Sequence, residues 1–122
     1  MKYMLILHMD PAAWDALADD AREEFVQGHR AFHKSVAEAG ELVAGHTLAH
    51  VSQSTVVRVA DGAVSVSHGP LLANPVQFSG FYLIDCETAE RAHELAALLP
   101  EARMAGLGIE VRPIMLPSGI EM

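Results

Sequence analysis

Cysteine is nearly absent from this chain: Cys86 stands alone. No disulfide can form within the chain, and a lone cysteine reads as a small buried hydrophobe in a protein of the reducing cytoplasm. Basic residues are also scarce. Eight Lys and Arg against 16 Asp and Glu give a formal charge of −8 with neutral histidine, which repels phosphate backbones and anionic lipid, so neither nucleic acid nor membrane is an expected partner. The apolar run Tyr3 to Leu7 is too short for a signal-peptide core or a membrane span. There is no Walker loop, no dinucleotide fingerprint, no Cys pair and no Gly-x-Ser-x-Gly elbow. Nucleotide binding and serine or cysteine hydrolysis therefore have no support, and no cofactor is expected.

What is present points to one small domain over residues 1–122. A chain of 122 residues leaves no room for a second useful core. Yet 51% of its residues are apolar, more than one small core readily hides, and a homodimer is the expected outlet.

The local signals follow one another without repeats or linkers. Tyr3 to Met9 predicts a buried strand ending at Asp10-Pro11, where Asp can cap and Pro can open a short helix anchored by Trp14 and Leu17. Asp20 and Glu23 have capping-box spacing, and Phe25, His29, Phe32 and Val36 form one stripe of an amphipathic helix that Gly40 stops. Leu42 to Leu48 reads as a strand. Ser54 to Val59 and Ala63 to Ser67 flank Asp61-Gly62, a strong hairpin signal. After the Gly69-Pro70 break and an apolar loop from Leu71 to Val76 comes a strand from Phe78 to Asp85. Thr88 or Asp85 caps a second helix with Ala92, Leu95, Ala96 and Leu99 inside, Pro100 prevents its continuation, and a last strand runs from Ile109 to Met115. The expected fold is α+β: a ferredoxin-like βαββαβ plan with an inserted β-hairpin, an antiparallel sheet and two helices on one face.

Six phrases in this order, MKYMLIL at the start, GHRAF at 28 to 32, TVVRVADGAV at 55 to 64, SHGPL at 67 to 71, QFSGFYLIDC at 77 to 86 and EVRPIM at 110 to 115, resemble the YCII-related (DGPF) family. The resemblance covers nearly the whole chain. It implies a dimeric α/β barrel of ferredoxin-like domains and, in some members, a helix histidine with an acidic partner acting on small organic molecules. His29 matches that histidine. The signature itself reads His68-Gly69-Pro70-Leu71, with His where Asp is usual and Leu where Phe is usual. His46 stands where many relatives have Glu, and Leu99 where one branch has its catalytic Asp; Gln77 and Gly80 follow the pattern.

An imidazole on a core-facing stripe can exchange protons near neutral pH, although a histidine there is as readily a satisfied structural residue. His29 and His68 are the candidate catalytic pair, expected to share one cleft, with His46, Gln77 and Leu71 as candidate ligand contacts. Lacking the usual carboxylate, His29 is expected to be a neutral base. The pairs His29 with His33 and His46 with His50 are only two-ligand fragments, so no metal site is assigned. Two functions follow: a cofactor-free proton-transfer enzyme, an isomerase or lyase, acting on a small apolar or aromatic molecule, or a non-catalytic dimeric binding or accessory module.

Overall fold

The structure, a computed structural model, describes residues 1–115; residues 116–122, the end of the domain expected from the sequence, lie outside the described residues. In chain order the elements are β1 (Lys2–Met9), α1 (Pro11–Asp15), α2 (Asp19–Glu38), β2 (Leu42–Thr47), β3 (Thr55–Ala60), β4 (Ala63–His68), β5 (Gln77–Asp85), α3 (Ala89–Ala96) and β6 (Ile109–Pro113), with 3₁₀ turns at Val51–Gln53 and Pro100–Arg103. The four-stranded sheet has the order β2-β5-β1-β6 and is antiparallel throughout. With the β3–β4 hairpin set aside, that is the strand order of a ferredoxin-like α+β domain.

Strand alternation decides which side of the sheet is covered. Tyr3, Leu5 and Leu7 of β1 share a face with Tyr82 and Ile84 of β5, and on it pack Phe32 and Val36 from α2 and Ala92, Leu95 and Ala96 from α3, with Leu99 just beyond. Cys86 belongs to this core. Burial pushes its thiol pKa up, so it stays an unreactive SH. Arg91 of α3 grips the Glu41 carboxylate at 2.7 to 3.2 Å, fastening the helix to the start of β2.

Several local signals took a different form. The Asp20 and Glu23 spacing makes no capping box: the N-cap of α2 is Ala18, without a side-chain bond, while Asp20 accepts from the Ala21 N–H and Glu23 accepts from Gln27. Arg22 instead secures the helix start, donating to the carbonyls of Trp14 and Asp15 and so fixing α1 against α2. Thr88 caps α3 by accepting from the Arg91 N–H. Strand β6 ends at Pro113, two residues earlier than expected. The hairpin turns at Asp61 and Gly62, both with positive φ (50° and 77°), the conformation that the Asp-Gly pair tolerates best.

Candidate functional site

One end of the domain is hollow. A cavity of about 560 Å³ opens between the middle of α2, α1, the ends of β1 and β2, and the start of β5. That volume lies in the usual range of small-molecule sites, roughly 300 to 1,000 Å³. Its walls are mostly apolar, with Leu7, Met9, Trp14, Phe25, Val26 and Phe78 prominent. The pairings Leu7 with Gly80 and His8 with Phe78 leave Ser79 unopposed. This bulge in β5 brings Gln77, Phe78 and Ser79 all to the cavity wall.

His29 reaches the cavity from α2 as the polar member of the Phe25, His29, Phe32, Val36 stripe. Its Nδ1 lies 2.8 Å from the Tyr82 hydroxyl and its Nε2 lies 2.8 Å from Glu101 Oε1. The ring is sandwiched, 4.8 Å from Phe25 and stacked 5.8 Å from Tyr82. His29 retains 12% side-chain exposure and Glu101 only 1%. A carboxylate that deep is tolerated only when paired, and the imidazole is its partner. Burial first, and the Glu101 charge second, push the Tyr82 hydroxyl up to about 12, so it is a phenol at any physiological pH.

Glu101 corrects the sequence reading in one respect. His29 was expected to lack an acidic partner because the usual positions carry His68, His46 and Leu99. The carboxylate comes instead from the 3₁₀ turn after α3, 72 residues away. Pro100, read only as a helix stop, opens that turn and delivers Glu101 to the imidazole.

The other candidates fall in different places. Gln77 lines the cavity, but its amide donates to the carbonyls of Leu72 and Asn74, pinning the apolar loop. His68 pairs with Thr55 at the open end of the hairpin. That hairpin forms its own two-stranded sheet, and His68, which was expected to share a cleft with His29, is not among the residues that line this cavity. His46 pairs with Phe81, its ring 5.7 Å from that phenyl, on the sheet face opposite Tyr82. Leu71 lines a neighbouring groove that shares Gln77, Phe78 and the 48–51 segment with the cavity. Among the described residues no three His, Cys, Asp or Glu side chains converge as a metal-holding group.

A ferredoxin-like α+β domain that carries a ligand-sized cavity beside a buried His–Glu pair is the class of protein this is. Within that class the chain belongs to the YCII-related domain family, which matches residues 1–116. It is similar to an uncharacterized protein of Rhizobium meliloti (strain 1021), 28% identical over 116 residues that cover 95% of this chain and 94% of that protein. No helix of the described residues is long and apolar enough to cross a membrane.

Proposed function

We propose that this protein is a cofactor-free proton-transfer enzyme, an isomerase or lyase, acting on a small apolar or aromatic molecule with His29 as acid/base. The observation that carries the reading is the fully buried Glu101 carboxylate on Nε2 of a histidine that lines an apolar, ligand-sized cavity. With Nε2–H donated to Glu101, Nδ1 accepts from the Tyr82 hydroxyl. Both ring nitrogens being engaged, a proton leaving a bound carbon acid travels through Tyr82. The phenol oxygen takes it while the phenol's own proton passes to Nδ1, and Glu101 balances the imidazolium that results. The reverse transfer returns a proton to a different atom of the ligand in an isomerisation. Tyr82, held as a phenol, relays the proton and does not store charge.

The working unit in this reading is a homodimer. Met4, Phe81 and Leu83 lie half-buried beside the buried Ile6 on the sheet face away from the helices, and a second copy laid on that face would finish covering them. The single free, buried thiol suits the cytoplasm.

One observation favours a second reading, a non-catalytic small-molecule-binding module. No buried side-chain polar atom among the described residues lacks a partner, so the His29 network is complete without a ligand. Deuterium exchange into the acidic α-carbon of 2-tetralone in D₂O, followed by NMR, separates the two. An enzyme accelerates it through His29; a binding module binds the ketone and leaves its exchange rate unchanged.

A further inference from the structure

We propose that the ligand of this cavity is a small apolar molecule with one anionic group, a carboxylate in the simplest case, received at the mouth by Arg30 with His33 beside it. The inference rests on the reading of the cavity as a ligand site and adds the class of ligand. Val26, His29, Arg30 and His33 all line the cavity, and their spacing of three, one and three places them on one face of α2. The inner pair meets the apolar floor and the buried acid. Arg30 and His33 stand exposed at the outer edge, and neither has a hydrogen bond or ion pair among the described residues.

Charge sharpens the case. The chain carries −8 overall, yet among the described residues Glu101 is the one acidic residue in the cavity wall, and it is committed to His29. Among the described residues the basic groups of that wall are Arg30, His33, His50 and His29. His50 is engaged already: its Nδ1 meets Ser52, and its Nε2 lies 4.0 Å from Asp15. That leaves Arg30 as the permanent, unengaged cation, with a planar fork suited to a carboxylate. Arg30 follows His29 directly, and His33 lies one helical turn, about 5 to 6 Å, along the axis. An anion held there keeps the exchanging carbon within a few bonds of the Tyr82–His29 pair.

The test is calorimetric titration of the whole chain with 2-naphthoate and 2-naphthamide, which share a ring system and differ in charge. The naphthoate is expected to bind about tenfold more tightly at low ionic strength, the margin of one charge-assisted contact. Arg30→Gln, at an exposed helical position where Gln is an equally good helix former, removes that margin and leaves naphthamide binding unchanged. Rising salt narrows the margin in wild type only. Equal affinity for the two compounds, or an Arg30→Gln loss shared equally between them, overturns the anion preference; if 2-tetralone exchange persists in that case, the acid/base reading stands without it. Absence of binding by both compounds up to about 1 mM overturns the inference together with the ligand site on which it rests.

Discussion

A Cβ built on Gly28 would stand 2.6 Å from Cγ of Pro100. This bare spot on α2, one residue before His29, lets the turn after α3 approach closely enough for Glu101 to meet the imidazole. Gly28→Ala sets two effects against each other. Helix propensity favours Ala by about 1 kcal/mol, whereas the overlap with a proline ring, which has no flexible end to swing away, costs about 1 to 3 kcal/mol. We expect the clash to win, with a net lower Tm and loss of His29-dependent exchange; thermal denaturation beside the tetralone assay measures both.

Removing His29 strands a carboxylate at 1% exposure. His29→Ala should cost about 3 to 5 kcal/mol of unfolding free energy. The double variant His29→Ala with Glu101→Gln should recover part of that loss, because a neutral amide is cheaper to leave buried than a charge. Urea denaturation of wild type, both singles and the double completes the cycle. Simple additivity would deny the coupling.

Tyr82 should ionise late. Its hydroxyl is pushed from 10.0 to about 12 by burial and by Glu101. The folded value lies above the unfolded one, so the associated stability is fully present below pH 10 and is lost as pH rises through 12. Phenolate absorbance against pH, with Tyr82→Phe identifying the band, should show this late step. Glu101→Gln should move it lower by removing the negative neighbour.

At the acid end the relevant pair is Glu41 and Arg91. The Arg91 hydrogen bonds hold the Glu41 carboxyl below its ordinary 4.5. Stability from this pair is therefore present above pH 4.5 and lost as pH falls through the lower, folded value. Glu41→Gln should melt a few degrees below wild type near neutral pH, where a small domain converts about 1 kcal/mol into several degrees, and the two melting curves should converge in acid.

Sedimentation should give about twice 13.1 kDa at micromolar concentration. Phe81→Asp, on the helix-free face of β5, should shift the protein to monomer because it places a charge where the second copy would sit. A monomeric wild type would remove the dimer from the account.

Local order was legible in the sequence where one period or one turn decided it. The apolar run from Tyr3 to Leu7, the Phe25-to-Val36 stripe and the Asp61-Gly62 turn each carry their element within a few residues. His29 was legible too, as the polar member of an apolar stripe. Glu101 was not, because its role depends on Gly28 admitting Pro100 across 72 residues of chain, and nothing local distinguishes it from a solvated glutamate. His68 misled for the same reason. Strand propensity shows that a hairpin forms, but not that among the described residues β3 and β4 make a sheet of their own, with His68 absent from the cavity wall.

The most direct test of the central claim is the rate of α-deuterium exchange into 2-tetralone in D₂O near neutral pH, compared among wild type, His29→Gln, Glu101→Gln and Tyr82→Phe. Positioned acid/base groups contribute about 10²- to 10⁴-fold. Wild type should therefore accelerate exchange by at least the lower figure, His29→Gln should abolish the acceleration, and both other variants should reduce it at least tenfold. If wild type binds the ketone, as judged by shifts in its resonances, and exchange still proceeds at the buffer rate, His29 is a structural residue and the proton-transfer account is wrong.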